Sequence, residues 1–254
     1  MTHAERRAAL EAIASEVRAC TRCRLASDRT NAVPGEGSPD TEVVFVGEGP
    51  GFNEDRQGRP FVGRAGGVLM ELLGSVEWRR EDVFITNVVK CRPPGNRDPE
   101  PDEIAACAPY LRRQLETIDP ALVVTLGRFS LGTFMPGTRI SQVHGTVRRA
   151  DPETGAADAT VLALYHPAAA DRSPDVKRQS FEDIGRAPAA LLDARARRVA
   201  AARSGDGQTA EPAATASPTT ADPIPVMAAP QAASESGPAL ATEDDPATAD
   251  LTIF

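Results

Sequence analysis

A mostly parallel β-sheet covered by helices on both faces is the fold class this sequence predicts. Two observations carry it. Four short apolar or β-branched runs are bounded by turn residues, and helical stretches lie between several of them. Strands that alternate with helices pair in parallel, and burial on both faces makes them near-continuous apolar runs. In chain order, residues 2–19 read as a helix. Thr2 and Glu5 have the spacing of a capping box, and Leu10, Ile13 and Val17 recur at helical spacing. Strands are predicted at Glu42–Val46, Val83–Val89, Ala121–Leu126 and Thr160–Tyr165, and helices at Gly66–Leu73 and Pro101–Thr117. Between the third and fourth strands the chain reads as a hairpin turning at Asp151–Gly155. A last helix is predicted over Ser180–Ala200. Residues 204–250 are rich in Ala, Pro, Thr and Ser, a composition that buries too little apolar surface to order itself. The expected organisation is one domain over residues 1–203 and a disordered acidic tail over 204–254.

At 254 residues and 41% hydrophobic, the chain has enough apolar mass for a buried core. No apolar stretch approaches the ~20 residues of a membrane helix, and residues 1–7 lack the apolar segment of a signal peptide. A cytoplasmic protein with no membrane partner is therefore expected. The formal charge of -8 is unevenly spread. Residues 201–254 hold eight acids and one base, Arg203, which leaves the first 200 residues at -1. A nearly neutral body leaves room for a local basic surface, although charge alone does not suggest one. The four cysteines are Cys20 and Cys23, as C-x-x-C, then Cys91 and Cys107. In a cytosolic protein they point to a metal or cluster site before disulfides. Spacing alone leaves zinc, an iron–sulfur cluster and unrelated buried thiols open.

Polar residues fall at the carboxyl ends of the predicted strands, where ligands bind to open parallel sheets. Glu48 follows the first, Asn87 lies in the second, Gly127 follows the third, and His166 follows the fourth. Pro167 stops the last strand and stiffens the loop that carries His166. Each has a plainer reading. Glu48 caps a turn, Asn87 satisfies a backbone group, His166 is structural, and Phe61 belongs to the core. His144 reads as an ordinary hairpin residue and His3 as exposed. The segment GEGPGFNEDRQGRPFVGRAGG, residues 47–67, holds seven glycines, yet it has neither G-x-G-x-x-G at the strand–helix junction nor G-K-[ST]. Nucleotide-phosphate binding is therefore weakly supported.

Taken together, GEGPGFNEDRQGRPFVGRAGG, FITNVVKCRPPGNRDPEPDEIAAC and LYHPAA resemble the family-four, iron–sulfur uracil-DNA glycosylases of bacteria and archaea. The likeness runs from about residue 13 to 197, in order, and includes all four cysteines. It implies a three-layer α/β/α sandwich with a central, mostly parallel four-stranded sheet. The implied activity is excision of uracil from single- or double-stranded DNA by a monofunctional, monomeric hydrolase that starts base-excision repair. The resemblance stacks Phe61 on the flipped base and pairs Asn87 with its O4/N3 edge, while Glu48 and Gly49 complete the pocket and Asn96 matches a further site position. It makes His166 the donor to O2. It leaves open whether Glu48 or Glu54 positions the water, because family-one enzymes place an aspartate where this chain has Gly49. Where those enzymes exclude thymine with a tyrosine, this chain has Gly51, and the resemblance puts Glu54 in that space. Cys20, Cys23, Cys91 and Cys107 become ligands of a structural [4Fe-4S] cluster, with zinc as the alternative.

DNA contact is expected from Arg172, Lys177 and Arg178 in DRSPDVKRQ, although such runs also form plain solvated faces. After His-Pro the family often carries bulky apolar residues, where this chain has Ala168-Ala169-Ala170. The last residues, TEDDPATADLTIF, resemble a sliding-clamp peptide through Leu251, Ile253 and Phe254, with Thr248 in place of its glutamine. An inert terminus is the plainer reading. Two rival functions are a related protein that holds uracil-DNA without turnover and a non-catalytic, cluster-bearing scaffold. The first characteristically bears a basic, histidine-containing insertion after strand two, which KCRPPGNRDPEP lacks.

Overall fold

The computed structural model describes residues 1–205. Most of the predicted tail, with Leu251, Ile253 and Phe254, lies outside the described residues. Helix α1 (His3–Ala19) begins with the expected capping box, in which Thr2 and Glu5 satisfy each other's backbone N–H. There follow α2 (Leu25–Asp28), β1 (Glu36–Gly37), β2 (Val43–Gly47), α3 (Phe52–Gln57), α4 (Arg64–Ser75) and β3 (Phe84–Asn87). Next come α5 (Pro101–Ile118), β4 (Leu122–Leu126), α6 (Arg128–Phe134), α7 (Ile140–Val143), β5 (Val147–Arg149) and β6 (Thr160–Leu164). The described chain closes with α8 (Pro167–Arg172), α9 (Pro174–Ile184) and α10 (Ala187–Gly205).

The strand order is β1-β3-β2-β4-β6-β5. The four predicted strands are the inner ones, and they pair in parallel. Short antiparallel strands, β1 and β5, extend the sheet from four strands to six. The predicted hairpin is β5–β6, turning through Pro152–Thr154. Side chains alternate between two cores. Val44, Val46, Val123 and Val161 pack on one face with residues of α1 and α5. Val43, Phe45, Val124 and Leu162 pack on the other with residues of α4 and α10. Burial on both sides explains the unbroken apolar runs.

The predicted last helix, Ser180–Ala200, is two helices broken at Gly185 and Arg186. Pro188 has no N–H to give, which suits the first turn of a helix and no interior position, so the chain restarts there. The second strand is also shorter than predicted. Val88 and Val89 still donate to the Gly47 and Glu48 carbonyls, but β2 has ended and the chain is leaving the sheet. None of the described helices is long and apolar enough to cross a membrane.

Candidate functional site

Residues at the carboxyl ends of β2, β3, β4 and β6 come together: Gly47 approaches Asn87 and Phe61, and His166 lies near Phe61 and Gly127. Gly47, last in β2, is in register with Asn87, last in β3. A Cβ on Gly47 would lie 2.4 Å from Asn87 Oδ1 and 2.6 Å from Phe61 Cζ, so only a bare backbone lets these two side chains meet there. Asn87 is 1% exposed, and its Oδ1 has no hydrogen-bond partner among the described residues. An orphaned acceptor of this kind costs about 1–3 kcal/mol unless a ligand satisfies it. Its backbone carbonyl is held by Lys90, whose buried Nζ also donates to Thr86 Oγ1 and Gln114 Oε1, at 2.6 to 2.8 Å. Sequence alone gave Lys90 no role. It braces Asn87 from behind.

Phe61 is buried and has φ 49°, a left-handed conformation rare for an aromatic residue. Arg80 fixes this backbone by donating to the carbonyls of Pro60 and Phe61, and is itself anchored by Glu36. Burial pushes the Glu36 carboxyl up, but hydrogen bonds from Arg59 and Arg80 outweigh it and hold the group below its ordinary range. Gly66 completes the turn, since a Cβ there would lie 2.1 Å from the Phe61 carbonyl. Glu54 closes it from the other side. Its Oε1 accepts from the N–H groups of Val62, at 2.9 Å, and Gly63, at 2.8 Å. A Cβ on Gly51 would meet Glu54 Oε2 at 2.9 Å, so the carboxylate fills the space beside Gly51.

His166 caps α8, and its Nδ1 accepts the Ala168 N–H at 3.1 Å. That bond leaves the proton of the neutral ring on Nε2. The ring lies 5.9 Å from Phe61, tilted 31°. Burial, helped by Arg172 and opposed by Glu54, pushes its pKa down to about 4. Gly127 has φ 88°, and a Cβ there would be 2.8 Å from the His166 Cβ, so this glycine admits the loop.

Glu48 carries the raised acid of the site. Burial first, then the charge of Asp98, pushes it up to about 7 against the pull of Arg128. Asp98 and Arg128 pair with each other, and neither drew notice in the sequence. Gly49 packs under Val89, 2.7 Å from where its Cβ would sit. Asn96 is exposed, with φ 57°, and its Oδ1 accepts from Arg92 at 2.7 Å, so its side chain is committed to the loop itself.

The bases expected to contact DNA are largely engaged within the protein. Lys177 pairs with Glu71 at 2.6 Å, Arg178 with Glu182 at 2.9 Å, and Arg172 donates to the Ala168 carbonyl at 3.1 Å. His3 is exposed and contacts Asp40. His144 is more than a hairpin residue. Its Nδ1 meets buried Asp183 at 2.7 Å, and its ring packs 4.6 Å from Tyr165.

The four cysteines are free and line one cavity with Val17, Arg29 and Tyr110. Cys91 accepts from Arg29 at 3.0 Å and Cys107 from the Lys90 N–H at 3.3 Å, the donors that thiolate sulfur attracts. Burial pushes both thiols up, Cys107 to about 11, which a bound cation would reverse. Among the described residues, no three His, Cys, Asp or Glu side chains converge tightly enough to hold a single ion. Zinc draws tetrahedral thiolates to within about 4 Å of one another. Four thiols lining a common cavity are a donor set of the kind that holds zinc or an iron–sulfur cluster.

Comparison with known proteins shows the family. The model of the "Uracil DNA glycosylase superfamily" matches residues 34–185. A type-4 uracil-DNA glycosylase of Archaeoglobus fulgidus is 46% identical over 184 residues, 69% of this chain and 92% of that protein. One of Thermotoga maritima is 47% identical over 180 residues, covering 70% and 92% respectively. A type-5 enzyme of Pyrobaculum aerophilum is 33% identical over 153 residues, 53% of this chain and 65% of its own length. The chain belongs to the uracil DNA glycosylase superfamily and, within it, to the type-4 uracil-DNA glycosylases.

Proposed function

We propose that this chain removes uracil from DNA by hydrolysing the N-glycosidic bond, acting as a monomer, and that Asn87 reads the base. The unpartnered, buried Oδ1 of Asn87 carries the reading. Facing uracil, that oxygen accepts from N3–H while the amide nitrogen donates to O4. Cytosine presents the opposite pattern, and a site built on such bonds rejects the mismatched base by about 10⁴-fold. The nucleotide must leave the stack before its glycosidic bond is reachable. Phe61 then supplies the apolar face against which the extruded ring lies.

Cleavage puts negative charge on the base and positive charge on the sugar. His166 meets the first as a neutral donor through Nε2–H, aimed at O2. With a pKa of about 4 it stays neutral at pH 7, so it supplies a hydrogen bond without carrying a charge into the site. Glu48 meets the second and orients the water. Glu54 has one oxygen committed to the 61–63 turn, which favours Glu48 for this role. No lyase step follows, because Lys90 Nζ is buried against three acceptors and is no free nucleophile.

Cys20, Cys23, Cys91 and Cys107 hold a structural [4Fe-4S] cluster in this reading. When bound it supplies a covalent tie between the end of α1, the loop after β3 and α5. The chain's partner is uracil-containing DNA.

The test is single-turnover uracil release from single-stranded and U·G oligonucleotides, using anaerobically purified chain with iron and sulfide assayed. Release by the wild type, slowed about 100-fold or more in His166→Ala, is expected. A folded, cluster-loaded wild type that releases no uracil overturns the proposal. A heat-stable protein–DNA adduct would then identify a covalent binder. Zinc in place of iron would overturn the cluster alone.

A further inference from the structure

Phe52 is the only exposed aromatic side chain among the described residues, at 52% exposure. It opens α3, directly after Gly51 on the loop that leaves β2. Two guanidinium groups flank its ring. Arg56, one turn along α3, lies 5.6 Å from the ring centroid, and Arg92, on the loop that leaves β3, lies 5.2 Å away. Pro93, next to Arg92, sits 3.9 Å from where a Cβ on Gly49 would lie. The cluster therefore bridges the loops that leave β2 and β3, which also carry Glu48 and follow Asn87. Among the described residues, no carboxylate pairs with Arg56 or Arg92, in contrast to Lys177 and Arg178.

An exposed ring beside the strand ends, held between two unneutralised cations, has the chemistry of a nucleic-acid stacking platform. Any base offers a π-face, and guanidinium groups serve the phosphates on either side. Extruding one nucleotide bares the face of its neighbour. We propose that Phe52 stacks on the base next to the extruded uridine, while Arg56 and Arg92 contact the adjoining phosphates. The proposal rests on the uracil-excision reading for the position of the flipped nucleotide.

The test uses a single-stranded oligonucleotide with 2-aminopurine beside a cleavage-resistant 2′-fluoro-deoxyuridine, and reads fluorescence and binding together. Stacking on Phe52 quenches the probe in the wild-type complex. Phe52→Ala is expected to restore emission and weaken binding at least about fivefold. Phe52→Trp should retain both. Arg56→Gln should lower the slope of log affinity against log salt by about 0.7, the value of one phosphate contact on a single strand. Wild-type binding and quenching by a folded Phe52→Ala protein would overturn the proposal. So would a loss confined to the rate at saturating DNA. The binding and quenching signals need no turnover, so failure of stacking and failure of uracil excision give separate results.

Discussion

Two side chains at the heart of this site have their protonation set by where the chain buries them. His166, pushed down to about 4, holds one state across the working range. Glu48, pushed up to about 7, changes state inside it. Glu48 helps only as the carboxylate, so the ionised form above its pKa is the active one. The single-turnover rate should therefore rise about tenfold per pH unit below 7 and flatten above it, with no further limb from His166 down to pH 5. Glu48→Gln should abolish the limb and slow release about 100-fold. A limb that survives in Glu48→Gln would assign the titration to a group other than Glu48. The placement of Glu48, Asn87 and His166 was legible because a parallel sheet gathers polar residues at its strand ends, whereas Phe61 read alone as core and drew a role only from the family resemblance. The choice between the two glutamates was not legible, because it depends on which carboxylate oxygen the 61–63 turn occupies.

At the scale of elements, the site depends on loops that the sheet cannot hold by itself. The turn presenting Phe61 is strained and is retained by Arg80, Glu36 and Glu54 from three different parts of the chain. Arg80→Ala leaves two backbone carbonyls and Glu36 short of a donor. A loss of about 2 kcal/mol in urea unfolding is expected, with a raised half-saturating DNA concentration as Phe61 shifts. Unchanged stability and unchanged half-saturation would remove Arg80 from the site. No sequence pattern announces a pair such as Arg80 and Glu36, separated by 44 positions. The same limit hid β1, whose two residues are too few to show alternation. The capping box of α1 and the hairpin β5–β6 were legible because their signals are local.

Across the whole molecule, a sheet buried on both faces places recognition at one end, and the cysteine cavity touches the back of the same loops. Lys90 lies between them. Its N–H reaches Cys107 and its ammonium holds the Asn87 carbonyl. The segment from Asn87 to Cys91 thus ties the Asn87 amide to the thiol cavity within five residues. Asn87, with a buried oxygen awaiting a partner, is the residue proposed to read uracil. The most direct measurement is single-turnover release by Asn87→Ala, with its fold and iron content checked against the wild type. Release at least about 100-fold slower is expected, from a protein as stable as the wild type or more so once the unsatisfied acceptor is gone. Release at the wild-type rate would contradict that role.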